Sequence, residues 1–102
     1  MIYFVDIDNT ICKTYESDYY NSQPIFERIE KINLLFKSGH TIIYWTARGS
    51  NSGLDWTELT TEQLNSWGCL RHQLILGKPK YDFYIDDKAI NSESFFNSLQ
   101  EI

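Results

Sequence analysis

The chain has 102 residues, a net charge of −5 and an aromatic share of 16%. That length suits one domain over residues 1–102 with a single hydrophobic core, and the rings point to a core built from large side chains. The acidic balance argues against a non-specific binder of phosphate backbones, so nucleic acid is not an expected partner outside a local site.

The first stretch, Ile2 to Thr10, reads as a buried strand that delivers two carboxylates to its own end. Tyr3, Phe4, Val5 and Ile7 are strand formers in a run apolar enough to be covered on both faces. Asp6 interrupts the run, and a lone buried carboxylate costs several kcal/mol, so it belongs where the strand meets solvent or a cation. Alternation starts Asp6 and Asp8 on one side of the backbone. Two like charges that close call for a divalent ion, a shared proton or a cationic partner. As plain structure, Asp8-Asn9-Thr10 is a polar turn; that reading leaves Asp6 unexplained.

Residues 11–21 carry Tyr15, Tyr19 and Tyr20 without a period and suggest a loop or small flap. A helix is predicted from near Pro24, a residue favoured at the first helical position, with Ile25, Ile29, Ile32, Leu35 and Phe36 at helical spacing. Gly39 ends it as a left-handed cap. A strand follows over residues 40–45, then a loop from Thr46 to Gly53. A second helix is predicted within Asp55–Trp67, with Asp55 and Glu58, or Thr60 and Gln63, as capping box, and Trp56, Leu59, Leu64 and Trp67 as its buried stripe. Residues 72–76 form a third strand, 77–80 a turn and 81–86 a fourth strand. A last helix over about residues 92–100 docks through Phe95, Phe96 and Leu99. His40 and His72 read as ordinary residues at strand starts.

Strands alternating with helices predict an α/β fold: a three-layer, Rossmann-like parallel sheet with helices on both faces. Ligands bind such sheets beyond the carboxyl ends of the strands. Asp6 and Asp8, Thr46 and Arg48, and Asp86 and Asp87 are all predicted at that edge, and Lys78 reaches it only through the local path of the chain. Carboxylates in a hard oxygen environment suit Mg²⁺, a lysine and a threonine suit a phosphate, and a carboxylate can form an acyl-phosphate. Together these parts describe Mg²⁺-assisted phosphoryl transfer. Cys12 and Cys69 form no CxxC and suit reduced thiols of a cytoplasmic protein. Met1 leads straight into the first strand with no room for a secretory leader, and no apolar run reaches membrane-spanning length.

Asp6-Ile7-Asp8-Asn9-Thr10, Trp45-Thr46-Ala47-Arg48, Gly77-Lys78-Pro79 and Ile85-Asp86-Asp87 together resemble, in order, the motifs of the haloacid dehalogenase-like (HAD) phosphohydrolases. The resemblance implies Asp6 as nucleophile, Asp8 as general acid and base, and Thr46 and Lys78 as holders of the phosphoryl group. It implies Mg²⁺ held by Asp6, the Asp8 carbonyl and Asp86, with Asp87 assisting. Asn9 stands where glycine is common and joins the phosphate side with the backbone N–H groups of its loop; Arg48 is a candidate substrate ligand beside Thr46. The chain has no room for the cap domains of many relatives, so it resembles the capless branch. Those relatives act on macromolecules, or close their site with a neighbouring subunit as sugar-phosphate phosphatases of polysaccharide pathways do. A homo-oligomer acting on a phosphorylated sugar is therefore the expectation, with a phosphoprotein or a polynucleotide end as other substrates. Two readings from other classes stay open: a phospho-signalling receiver domain, which lacks its acceptor Asp on a middle strand, and a silent phosphate-binding module.

Overall fold

The computed structural model describes residues 1–99. In chain order the elements are β1 (Ile2–Val5), β2 (Cys12–Lys13), a 3₁₀ turn (Tyr19–Asn21), β3 (Gln23–Pro24), α1 (Phe26–Lys37), β4 (Thr41–Thr46), α2 (Thr57–Ser66), β5 (Gln73–Leu76) and α3 (Ser92–Leu99). β1, β4 and β5 form a parallel sheet in that order, with Ile2 opposite Thr41 and Thr46 opposite Leu76. This is a Rossmann-like α/β fold, and the described residues include no cap domain. Among them no helix is long and apolar enough to cross a membrane.

The predicted flap is a short antiparallel ribbon, Cys12 and Lys13 against Pro24 and Gln23, closed by the 3₁₀ turn. Pro24 therefore belongs to the ribbon and not to the first helical turn. Ile25 caps α1 instead, its N–H bonded to the Ile11 carbonyl. Gly39 follows α1 with φ +96°, the left-handed stop its position predicts. The capping box of α2 does not form; Asp55 accepts a hydrogen bond from the Thr57 N–H at 2.9 Å. Phe96 of α3 is buried as expected, whereas the Leu99 side chain and Gln100 lie outside the described residues.

The helices, expected on both faces of the sheet, gather on one. Ile29 and Ile32 of α1, Leu64 of α2 and Phe96 of α3 share a single core cluster with Val5, Ile42 and Tyr44. Register and alternation put Val5, Ile42 and Tyr44 on the same side of the sheet. The chain moves β1 to β4 to β5 in one direction, and right-handed crossovers in one direction lay both helices on one face. α3 joins them through α1: Arg28 pairs with Glu93 at 2.6 Å and sits over the Phe96 ring. Isoleucine supplies five of the eleven residues of that cluster and aromatic residues only Tyr44 and Phe96, so the rings expected inside lie largely outside it, Phe4 at 56% and Phe83 at 87% exposure among them.

The predicted fourth strand, residues 81–86, is not formed. β5 ends at one edge of the sheet and the free edge of β1 lies at the other, three strand spacings or about 14 Å away. A parallel partner for β1 needs a crossover of a dozen or more residues. Only four residues, 77–80, separate β5 from Tyr81, so the segment stays outside the sheet.

Candidate active site

Asp6 just after β1, Thr46 at the end of β4 and Lys78 just after β5 all lie at the carboxyl edge of the sheet, and there the Asp6 and Lys78 side chains meet. Lys78 was read from sequence as belonging to a turn before a fourth strand. Its N–H bonds the Thr46 carbonyl at 3.0 Å, which extends the β4–β5 pairing and carries the side chain to this edge. Its Nζ lies 3.6 Å from Asp6 Oδ1. Asp6 Oδ2 accepts a hydrogen bond from Thr10 Oγ1 at 3.2 Å. Burial pushes the Asp6 carboxyl above its ordinary range, against the pull of Lys78 and of bonds from the Ile7 N–H and Thr10. Thr46 is buried, and its Oγ1 accepts from the Arg48 N–H at 3.2 Å. Among the described residues its hydroxyl makes no further hydrogen bond.

Asp8 sits differently. Arg48 grips it at both oxygens, Nη2 to Oδ1 at 2.8 Å and Nε to Oδ2 at 3.0 Å. Thr14 Oγ1 donates to Oδ1 at 2.6 Å. The Arg48 side chain has no exposed surface, and its remaining N–H groups go to Thr60 Oγ1 at 3.1 Å, Gln63 Oε1 at 2.6 Å and Ser22 Oγ at 3.3 Å. The Tyr19 ring covers the guanidinium at 4.7 Å. All five donors of Arg48 are thus used inside the protein. Sequence offered Arg48 as a substrate ligand; the structure makes it the counter-ion of Asp8 and the tie between the β4 loop, the ribbon and α2. The cationic partner was one of three answers to the Asp6–Asp8 pair, and each carboxylate has found its own.

Asn9 is held at φ +60°, and its Oδ1 accepts from the Thr14 N–H at 3.2 Å. It shapes the loop, its side-chain oxygen turned to the ribbon and not to a phosphate. Asp86 and Asp87, expected to complete a metal set with Asp6 and Asp8, lie on the exposed segment after β5. A hydrogen bond with Asp86, and then the charge of that neighbour, push the Asp87 carboxyl up. The described residues contain no group of three or more His, Cys, Asp or Glu placed to hold a metal ion. The four-carboxylate set is therefore not assembled, because the strand that was to deliver the acidic pair is absent. Cys12 and Cys69 are free and buried; burial pushes both thiols up, Cys69 to about 11, so neither is a ready nucleophile.

The partners of Arg48 were the part sequence reading missed. Thr60, Gln63 and Leu64 stand at i, i+3 and i+4, one face of α2, and a buried threonine on that face signals a polar partner beneath it. Gly49 has φ +83°, and a Cβ there would overlap the Leu54 carbonyl oxygen. Gly49→Ala is expected to cost more than the ~1–3 kcal/mol of a strained backbone alone, because it adds that collision. Urea unfolding should show the loss as a lower midpoint at unchanged slope.

No protein-family model matches the chain, and no curated protein matches it. Among solved structures the chain resembles the crystal structure of a structural-genomics target from Vibrio cholerae, with a TM-score of 0.85 and 25% sequence identity. The match covers 98% of this chain and 94% of that one, so the two share a fold from end to end.

Proposed function

We propose that the protein is a phosphatase that transfers a phosphoryl group from a monoester to Asp6 and then to water, with a sugar phosphate as the favoured substrate. One observation carries the reading: a half-buried carboxylate faces a lysine at the carboxyl edge of a parallel sheet, with Thr46 ending the neighbouring strand. An Asp6 oxygen attacks phosphorus, the ester P–O bond breaks, and the leaving oxygen takes a proton from Asp8. Lys78 and Thr46 hold the phosphoryl oxygens as charge shifts onto them. Water then attacks, gives its proton to Asp8, and the P–O bond to Asp6 breaks. Asp8 must loosen one contact with Arg48 to carry the proton. Mg²⁺ belongs to the proposal as a source of charge neutralisation, and no step here is routed through it.

The test is multiple turnover of an aryl phosphate and a panel of sugar phosphates, with Mg²⁺ and after exhaustive chelation. Phosphate release that stops on chelation and returns with Mg²⁺ supports the reading; unchanged release after chelation removes the metal from it. Asp8→Asn is expected to lower turnover by about 10²–10⁴-fold. A reactive aryl phosphate should still phosphorylate Asp6 in that variant, seen as a mass increase after acid quench. A second reading, a silent phosphate-binding module, is favoured by the full occupation of both Asp8 oxygens. Phosphate binding by calorimetry with no turnover of any monoester would select it.

A further inference from the structure

Among the described residues no helix covers the other face of the sheet. Ile2, Phe4, Trp45 and Ile75 fall on it by register and alternation, with Ile43 buried among them. Ile2 is 68% and Phe4 56% exposed, and the Phe4 and Trp45 rings meet edge-on at 5.7 Å. The surface continues into the segment after β5. Lys78 Nζ lies 5.6 Å from the Trp45 ring and 5.1 Å from Tyr81, and Tyr81 touches Tyr84 at 5.4 Å. Phe83 and Ile85 beside them are 87% and 97% exposed. A ring of this kind offers about 150–250 Å². The apolar surface left open by these residues is then on the order of 800 Å², above the ~300–600 Å² of the largest patch on a typical monomer and about one side of a standard interface.

We propose that a second copy of this chain covers this face, forming a two-fold dimer across the sheet and residues 78–88. Charge favours the same chain as partner. Residues 78–88 hold three lysines, Lys78, Lys80 and Lys88, and three aspartates, Asp82, Asp86 and Asp87, so the segment is neutral in a chain of net charge −5. The repulsion between two acidic copies is smallest where they meet at this patch. Within it Lys80 lies near the start, and Asp86 and Asp87 lie beside Lys88 at the end, while Lys78 is buried against Asp6. A two-fold axis across it runs the two copies antiparallel and brings Lys80 of each toward Asp86 and Asp87 of the other, as a self-complementary contact requires. Lys80, Asp86 and Asp87 have no ion-pair partner among the described residues, which leaves them for such a contact. An anionic membrane surface fits poorly, since the chain carries excess negative charge and no basic cluster on the patch. The proposal does not rest on the phosphatase reading, although Lys78 belongs to both surfaces.

Sedimentation equilibrium of the full chain at micromolar concentration is expected to give twice the chain mass of 12.1 kDa. Phe83→Asp with Ile85→Asp changes only side chains that solvent already surrounds, so circular dichroism and Tm of the isolated chain should hold. Their loss from the interface should weaken self-association by at least about 30-fold, as for two contacts near its centre. Lys80→Glu should weaken it in the same direction. A wild-type chain that sediments as a monomer throughout overturns the proposal. So does a double variant that associates like the wild type, which would place the contact elsewhere. Co-sedimentation with anionic vesicles, or stable binding of a different protein in place of self-association, also overturns it.

Discussion

Asp6→Asn is expected to lose phosphatase turnover by at least about 10³-fold, since an amide cannot serve as the nucleophile, while melting no lower than the wild type at pH 7. The second half follows from the electrostatics of the site. Burial raises the folded-state pKa of Asp6 above its ordinary 3.8, more than Lys78 and the local hydrogen bonds lower it. A carboxyl with a raised folded pKa contributes stability below its unfolded pKa, and loses that contribution as pH climbs through the folded value. At neutral pH the ionised Asp6 is thus a net burden on the fold, and a neutral amide of the same shape relieves it. The Tm gap between variant and wild type should therefore be widest at neutral pH and close towards pH 4. Thermal melts across that range, beside turnover of an aryl phosphate, check both halves. Normal turnover in the variant removes the mechanism; a gap that grows on acidification removes the electrostatic account.

Arg48→Met should damage the fold itself. Breaking one side of a buried, fully hydrogen-bonded ion pair costs about 3–5 kcal/mol, because the other charge is left without compensation. Here the loss also strips Thr60, Gln63 and Ser22 of a donor. Domains of this size hold about 5–15 kcal/mol in total, and each kcal/mol shifts Tm by about 4–8 °C. A fall of at least about 12 °C is the expected result. Arg48→Lys should recover little of it, since an ammonium cannot reach both Asp8 oxygens and the α2 acceptors at once. The double variant with Asp8→Asn should lose less than the sum of the two single changes, as for any coupled pair. If Arg48 served a substrate instead, Tm would hold and KM alone would rise.

The strands with continuous apolar runs, and the helix with a clean period from Ile25 to Phe36, were legible because burial on one side leaves a periodic trace. Gly39 was legible because only a left-handed stop explains it. Asp6 stood out because a carboxylate after four strand formers needs solvent or a cation, and the structure sets it at the end of β1 against Lys78. Arg48 was not. Its role depends on five acceptors drawn from the ribbon, the Asp8 loop and α2, and no local pattern encodes a contact forty residues away. Tyr81 to Asp86 misled for the opposite reason. Its composition is that of a strand, yet propensity is local, and whether the segment can reach the free edge of β1 depends on the four residues before it.

The parallel pairing of β1 with β4 has a bearing on how the chain folds as it is made. Ile2 pairs with Thr41, so the first strand leaves the ribosome with no partner until β4 has followed it. Asp8 waits longer, for Arg48 and then for Thr60 and Gln63 to hold that arginine in place. Asp6 waits for Lys78, and α1 for Glu93, 65 residues after Arg28. Loop closure over such separations comes before any reward from contact, so collapse to the native sheet should be slow for a chain of this length. A nascent chain that stops short of residue 78 has both carboxylates at the end of β1 and a cation for only one of them.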